Sequence, residues 1–158
     1  MLWFVLLCLF CVLTSSAFGA KTKPNLIVLM ADDSALSMIG IYTRLNSTYN
    51  TVLKEFVSTP NIDSIGANGI TFTQAAVENS ICSPGRAAFL SGSFTNNHGV
   101  VCVSCGASLH PDAPIFSKQL QFSGYETAII GKLHLETPPD SMFGYSAVIE
   151  GQGAYFSP

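Results

Sequence analysis

Three stretches of the chain have the hydrophobic patterns of β-strands. Residues 24–31 form a continuous apolar run, which is typical of a strand buried on both faces of a parallel sheet. Residues 70–73 alternate apolar and polar side chains, and residues 125–130 end in an apolar run before Gly131. The pattern therefore predicts a strand at each of these three places.

The segments between the predicted strands carry helix signals. Thr59 is a suitable N-cap, Pro60 fits the first helical position and Gly69 suits a left-handed stop. Residues 84–90 begin with proline and continue with good helix formers, and residues 115–122 repeat apolar side chains at roughly helical spacing. Because strands alternate with short helices, the sequence predicts an α/β fold with a largely parallel sheet flanked by helices.

Two stretches without a clear period are predicted to lie outside this framework. Residues 42–58 are polar and indicate a surface excursion, in which Asn46 begins a sequon for N-glycosylation. Residues 96–111 are rich in Gly, Ser, Cys and His and are predicted to form a loop.

The first 19 residues are predicted to be a signal peptide. Their apolar core, residues 2–13, is shorter than the roughly 20 residues of a membrane-spanning helix, and small residues follow it at a suitable cleavage site. An uncleaved N-terminal anchor is the alternative. The expected organisation is a signal peptide over residues 1–19 and part of one domain over residues 20–158, with no stable membrane anchor after cleavage.

Composition narrows the classes of function. Hydrophobic residues make up 48% of the chain, charged residues 11%, and the formal net charge is -3. This balance excludes a disordered polyampholyte and provides no basic surface for nucleic acid. We expect no nucleic-acid partner, and an anionic ligand would have to bind at a focused site.

Charged side chains follow two of the predicted strands. Asp32 and Asp33 come directly after the first strand, and Lys132 and His134 follow the third, where a spacing of two on an extended chain puts them on one face. Because ligands bind outside the carboxyl ends of parallel strands, all four are expected at one rim of the sheet. The acids can bind Ca²⁺ or Mg²⁺, and the other pair can bind an anion and transfer a proton. A polar turn and a solvated strand end are the alternatives.

Three cysteines lie beyond the predicted signal peptide, and an odd number in a secreted protein leaves one that is free, bound to another chain or chemically altered. Cys102 and Cys105 are the expected disulfide pair. A thioredoxin-like redox pair and a zinc site that adds His98 and His110 are the alternatives. The remaining residue is Cys82.

Arg86 follows Cys82 by four residues, at or near the start of a predicted helix. Its positive charge and the helix N-terminus would both stabilise negative charge at this position. The alternative is a structural cysteine in the core.

These residues resemble the motifs of the type I sulfatases, which depend on formylglycine and belong to the alkaline-phosphatase-like superfamily. The signature C-x-P-x-R, followed by a small hydroxyl residue and glycine, is similar to residues 82–86 and 90–92. The second motif, G-K-x-H, is similar to residues 131–134, the first metal-binding pair to residues 32–33, and a usual N-terminal segment to T-P-N-I-D at residues 59–63. The motifs occur in the family's order, and the resemblance covers roughly residues 24–145.

The resemblance implies an alkaline-phosphatase-like α/β fold and hydrolysis of sulfate esters or sulfamates. It also implies that the formylglycine-generating enzyme of the endoplasmic reticulum oxidises Cys82 to Cα-formylglycine. The hydrate of this aldehyde offers one hydroxyl to attack sulfur and a second whose deprotonation expels the sulfate. The substrate would be a sulfated small molecule or glycan, and the protein would reside in the lysosome or outside the cell.

The same resemblance implies roles for the remaining motif residues. Asp32, Asp33 and the modified cysteine would bind Ca²⁺, with Mg²⁺ less favoured, and the ion would polarise the sulfate. Arg86 would hold the hydrate, Lys132 would bind sulfate oxygens and His134 would orient the hydrate.

The chain departs from the family pattern in three ways. Ala35 occupies the place, two residues after the second aspartate, that usually holds glycine, and the excursion over residues 43–58 is longer than usual. Members of the family also run to several hundred residues and supply further calcium ligands later. We therefore interpret residues 20–158 as the N-terminal part of a sulfatase catalytic domain and expect this stretch alone to be inactive. A related metallo-phosphodiesterase or phosphatase, and a truncated homologue that only binds sulfated ligands, are the alternatives.

Overall fold

Helices and one small sheet make up the part of the chain that the computed structural model describes, which is residues 23–45, 51–103, 105–149 and 151. The chain divides into two units, residues 1–33 and 34–158. The predicted signal peptide and Asn46 lie outside the described residues. Beyond residue 34 the elements are short 3₁₀ turns at Leu36–Met38 and Pro139–Ser141, α1 (Gly40–Leu45), α2 (Thr51–Phe56), α3 (Pro60–Asn68), α4 (Cys82–Ser91), α5 (Thr95–His98), α6 (Phe116–Phe122), β1 (Ala128–Lys132) and β2 (Tyr145–Ile149).

The sheet among the described residues consists of β1 and β2, which pair in parallel. Ala128 pairs with Tyr145, and the register continues to Lys132 opposite Ile149. The prediction of a parallel α/β arrangement is confirmed. The strand expected over residues 125–130 exists but is shifted along the chain to Ala128–Lys132, so Lys132 belongs to the strand and does not follow it.

Two predicted strands are absent from the described structure. Residues 24–31 and 70–73 are irregular, and their apolar side chains are largely exposed, with Ile27 at 82% and Ile70 at 79%. The physical reason is that a strand exists only where a neighbouring strand completes its hydrogen bonds. Among the described residues that ladder forms only between β1 and β2. Apolar patterning alone therefore overpredicted the sheet.

The three predicted helices are present as α3, α4 and α6. Their ends differ in detail from the prediction. Thr59 precedes α3 but its hydroxyl makes no cap to that helix, and Gly69 ends the helix at φ -135°, outside the left-handed region. Helix α4 starts two residues earlier than predicted, so that Cys82 is its first residue.

The predicted surface excursion over residues 42–58 is partly helical, which corrects the sequence analysis. Helix α1 is only six residues long, and distant side chains stabilise its start. Thr59 Oγ1 accepts a hydrogen bond from Gly40 N–H at 2.8 Å, and Asp63 Oδ1 accepts one from Ile41 N–H at 2.7 Å. Asp63 also pairs with Arg44 of α1. The first amides of a helix lack internal partners, so this capping compensates for the weak helical pattern of the sequence.

Helix α5 occupies the start of the predicted loop over residues 96–111, and the loop proper begins at Gly99. Hydrogen bonds with the residues that follow β1 hold this loop in its conformation. Glu136 N–H donates to Ala107 O at 3.0 Å, and Leu109 N–H donates to Thr137 Oγ1 at 2.8 Å. The loop is therefore held against the segment that follows the G-K-L-H motif.

The core of residues 34–158 lies between α4, this loop, α6 and the sheet. Its buried apolar side chains are Ala87, Leu90, Val100, Ala107, Leu109, Ile115, Leu133, Met142 and Phe143. Because Ala87 and Leu90 come from α4 and Leu133 comes from the G-K-L-H motif, side chains from both motif segments pack into one core. None of the helices in the described ranges is long and apolar enough to cross a bilayer.

Candidate active site

Cys82 is the first residue of α4 and lies where the chain changes from extended to helical. Ile81 before it is extended, at φ -87° and ψ 142°, and Gly85 N–H donates to Ile81 O at 2.9 Å to close the first turn. Pro84 fits this turn because its missing N–H would have no partner there. Ser83 and Pro84 are buried, whereas Cys82 is half-buried and outside any disulfide. The thiol is thus held by a rigid first turn and remains accessible.

The two sequence motifs meet at Lys132. Its Nζ donates a hydrogen bond to Cys82 Sγ at 3.6 Å, and its backbone carbonyl accepts a hydrogen bond from Arg86 Nη1 at 2.8 Å. Arg86 is half-buried on α4, one turn after Cys82. An ammonium group and a guanidinium group therefore lie at the thiol end of α4, where they would attract an anionic ligand.

The backbone turns sharply on either side of Leu133. Gly131 has φ 102° and His134 has φ 54°, and both values lie in the region that glycine favours. The extended geometry that would place Lys132 and His134 on one face therefore ends within the motif, which corrects that expectation. The Nδ1 atom of His134 is buried and has no hydrogen-bond partner among the described residues. Strained backbone and an unsatisfied buried nitrogen together are typical of functional sites.

Asp32 and Asp33 end the apolar segment of the first unit. Both are exposed, and one carboxylate oxygen of each lies within 4.8 Å of the other. Two oxygens that bind one Ca²⁺ at about 2.3–2.6 Å are at most about 5 Å apart, so this pair fits a shared divalent cation. Asp33 adopts φ 51°, a conformation that aspartate tolerates better than most residues. Ala35 has φ -79° and ψ 148°, which requires no glycine.

Cys102 and Cys105 form a disulfide with a Cα–Cα distance of 5.7 Å. The sulfurs are joined to each other, so neither is a thiolate that could bind zinc, and the alternative zinc site is not supported. His110 is exposed, and its Nδ1 accepts a hydrogen bond from Asp112 N–H at 3.3 Å.

His98 is fully buried at the end of α5, although the sequence suggested an ordinary loop residue. Its Nδ1 accepts a hydrogen bond from Val100 N–H at 3.1 Å, and its Nε2 has no hydrogen-bond partner among the described residues. Burial lowers the pKa of His98, and the nearby Glu78 carboxylate opposes that shift more weakly. His98 is therefore a neutral structural histidine at physiological pH.

Sequence patterns did not indicate the roles of Glu78 and Asn79, which lie just before the start of α4. Glu78 accepts hydrogen bonds from the backbone and hydroxyl of Thr95, the first residue of α5. Asn79 Oδ1 accepts a hydrogen bond from Ile81 N–H at 2.9 Å. Asn is a common turn residue, which is a weak signal, whereas the contact of Glu78 joins positions 17 residues apart and has no local pattern.

Comparison with known proteins gives a consistent result. The model of the Sulfatase family matches residues 24–156. The chain is 34% identical over 139 residues to an N-acetylglucosamine-6-O-sulfatase of Bacteroides thetaiotaomicron, covering 86% of this chain and 23% of that protein. It is 34% identical to human steryl-sulfatase over 125 residues and 32% identical to human arylsulfatase A over 133 residues, covering 73% and 82% of this chain and 20% and 24% of those proteins.

A solved structure of a protein in complex with its substrate, D-glucosamine-2-N,6-O-disulfate, superimposes on this chain with a TM-score of 0.70 and 31% sequence identity. The match covers 83% of this chain and 24% of that one. The chain thus spans about a fifth to a quarter of the length of the curated relatives described above.

Proposed function

This chain belongs to the sulfatase family and corresponds to the N-terminal part of its alkaline-phosphatase-like fold, and we propose that the protein hydrolyses a sulfate ester or sulfamate. The observation that carries the proposal is the contact between its two motifs. Lys132 Nζ is 3.6 Å from Cys82 Sγ, and Arg86 Nη1 is 2.8 Å from Lys132 O. A nucleophile position beside two fixed cations suits a substrate that carries a sulfate anion.

The nucleophile in this proposal derives from Cys82 through oxidation to Cα-formylglycine. Its C-x-P-x-R context supports the conversion, as does the absence of a disulfide at this half-buried thiol. The hydrated aldehyde supplies one hydroxyl for attack on sulfur and a second whose deprotonation releases the sulfate. The formylglycine-generating enzyme of the endoplasmic reticulum is accordingly the proposed processing partner.

The side chains around Cys82 have separate tasks. Lys132 binds sulfate oxygens through its ammonium group, and this contact strengthens as negative charge accumulates on those oxygens. Arg86 holds the end of β1 through the Lys132 carbonyl and contributes a permanent positive charge. His134 orients the nucleophile by a hydrogen bond. Its buried Nδ1 has no hydrogen-bond partner among the described residues and can make that bond.

Asp32 and Asp33 would bind the metal ion together with the modified Cys82. The spacing of the two carboxylates fits one divalent cation, and Ca²⁺ is the ion that the family resemblance implies, with Mg²⁺ less favoured. A bound Ca²⁺ would polarise the sulfate oxygens as a Lewis acid. Three protein ligands would leave about three to five of the usual six to eight positions around Ca²⁺ for other groups.

The proposed substrate is a sulfated small molecule or glycan. One similar protein is named an N-acetylglucosamine-6-O-sulfatase, and the similar solved structure contains a sulfated glucosamine as its substrate. Glucosamine 6-sulfate is therefore the first compound to test, followed by a steryl sulfate and an aryl sulfate. The protein would act in the lysosome or outside the cell, consistent with the predicted signal peptide and the sequon at Asn46.

The test is to produce the full-length protein in eukaryotic cells and to examine the tryptic peptide that ends at Arg86. Mass spectrometry should find the aldehyde in place of the Cys82 thiol, and sulfate release from the compounds above should require Ca²⁺. Cys82→Ala should abolish turnover, while the double substitution C102S/C105S serves as a matched cysteine control and should retain it. An unmodified thiol, or a fully converted protein that releases no sulfate, would refute the proposal.

A further inference from the structure

We propose that Glu78 is a positioning residue for Cys82, and this inference rests on the function proposed above. The Glu78 carboxylate joins the segment before α4 to the helix after it. Its Oε1 accepts hydrogen bonds from Thr95 N–H at 3.0 Å and Thr95 Oγ1 at 2.9 Å, and its Oε2 lies 2.9 Å from the same hydroxyl. These bonds close a loop of chain that contains all of α4.

The charge state of Glu78 suits this role. The hydrogen bonds from the Thr95 backbone and hydroxyl hold the pKa of the Glu78 carboxyl below its usual range, so the group is ionised at physiological pH. An ionised carboxylate accepts stronger hydrogen bonds than a neutral group does.

The residue next to Glu78 transmits this attachment to the nucleophile. Asn79 Oδ1 accepts a hydrogen bond from Ile81 N–H at 2.9 Å, and Ile81 O accepts the first helical hydrogen bond, from Gly85 N–H at 2.9 Å. The backbone of Asn79 also packs closely on the helix, because a Cβ added to Gly85 would lie 2.6 Å from Asn79 O. Asn79 and Glu78, which these bonds hold in place, therefore lie only three and four positions before Cys82 in the sequence.

The segment that leads up to Glu78 is not fixed by packing against the core. Residues 72–78 are exposed throughout, so few packing contacts oppose their displacement. On the far side of Cys82, Ser83 and Pro84 are buried in the first turn of α4. Loss of the Glu78 carboxylate should thus loosen one side of Cys82 while the helix itself stays in place.

Kinetic measurements on the full-length protein, with Cys82 converted to formylglycine, can distinguish positioning of Cys82 from simple capping of α5. Glu78→Ala should lower kcat about tenfold with KM and formylglycine content unchanged, because small misplacements of a reacting group reduce the rate far more than they reduce binding. Glu78→Gln keeps an oxygen that can accept from Thr95 N–H and should recover most of the rate. Glu126→Ala, at an exposed carboxylate before β1, is the matched control and should behave like the wild type.

A second measurement does not depend on turnover. In protein prepared without conversion, the rate at which iodoacetamide alkylates Cys82 can be followed on the peptide that ends at Arg86. Glu78→Ala should raise this rate several-fold relative to wild type and to Glu126→Ala, since the half-buried thiol would become more accessible. If alkylation changes as expected but the wild type shows no sulfatase activity, the proposed function fails and the positioning role stands.

Three results would overturn the inference: an unchanged alkylation rate in Glu78→Ala, an unchanged kcat, or a loss of kcat that only matches a loss of folded protein. An equal effect of Glu126→Ala on either measurement would do the same, because it would show a general response to lost surface charge.

Discussion

Arg86 donates a hydrogen bond from Nη1 to the backbone carbonyl oxygen of Lys132 at 2.8 Å, and this bond joins α4 to the carboxyl end of β1. The acceptor belongs to the backbone, so the bond does not depend on the lysine side chain. The same lysine directs Nζ to Cys82 Sγ. A substitution of the Lys132 side chain can therefore remove its charge beside Cys82 without breaking the bond that joins α4 to β1.

Lys132→Met should remove the positive charge beside Cys82 and leave the Arg86 contact intact. We expect kcat/KM of the full-length protein for a sulfate ester to fall about 10²–10³-fold, the usual cost of losing one preorganised donor. The melting temperature and the formylglycine content should stay at wild-type values. Lys54→Met on α2 is the control and should keep full activity. Retention of more than half of the wild-type kcat/KM by Lys132→Met would exclude a sulfate-binding role.

Asp63 should make the stability of the protein depend on acid pH. The hydrogen bond from Arg44 is the largest cause that lowers the pKa of Asp63, and hydrogen bonds from Thr59 and Ile41 also lower it. Because the folded-state pKa is below the ordinary value of 3.8, the ionised carboxylate contributes stability that is present above that value and lost as pH falls through the folded pKa.

Asp63→Asn should therefore lower the melting temperature most at about pH 6, and the difference from wild type should shrink as the pH falls below the ordinary value of 3.8. Asp112→Asn, at a largely exposed side chain, is the comparison and should show little difference at either pH. A gap between Asp63→Asn and wild type that stays constant across this range would show that the carboxylate does not act through its charge.

The elements that local signals encode were predicted, and those that depend on distant partners were not. Helix α3 begins at Pro60, α4 has a proline in its first turn followed by good helix formers, and α6 has helical spacing of its apolar residues. Helix α1 has no such signal, because Thr59 and Asp63 cap it from about twenty residues away. The strand predicted over residues 24–31 shows the opposite error, since hydrophobicity was present and a ladder was not.

The candidate site shows the same division. Its motif residues were predicted because their types and spacing resemble the motifs of the sulfatase family, and their catalytic roles remain proposals. The contact of Glu78 with Thr95 could not, since it joins an exposed carboxylate to a helix that is only four residues long. The turn at His134 was also missed, because φ 54° at a histidine follows from the surrounding packing and has no sequence signal.

Ser117→Ala removes only one oxygen atom but should clearly destabilise the fold. Ser117 is buried on α6, and its hydroxyl donates to Met142 O at 2.7 Å. The substitution leaves a buried carbonyl without this donor, which costs about 1–3 kcal/mol in the free energy of unfolding. Chemical denaturation measures the change. The control is Ser141→Ala, at an exposed hydroxyl that bonds Pro138 O, and its effect should stay within about 0.5 kcal/mol. Equal effects of the two substitutions would show that the buried bond contributes nothing specific.

His98 should make stability fall between neutral and mildly acidic pH. Burial lowers its pKa from the ordinary value of 6.5, so in this range the unfolded chain binds a proton that the folded chain does not. Its contribution is fully present above the ordinary value of 6.5 and is lost as the pH falls from there through the folded-state pKa. His98→Asn retains an acceptor for Val100 N–H but does not titrate, so the free energy of unfolding should depend less on pH between about 7.5 and 5. Denaturant titrations across this range, with His110→Asn as the exposed control, measure the slope. A slope in His98→Asn equal to that of the wild type would assign the pH dependence to other groups.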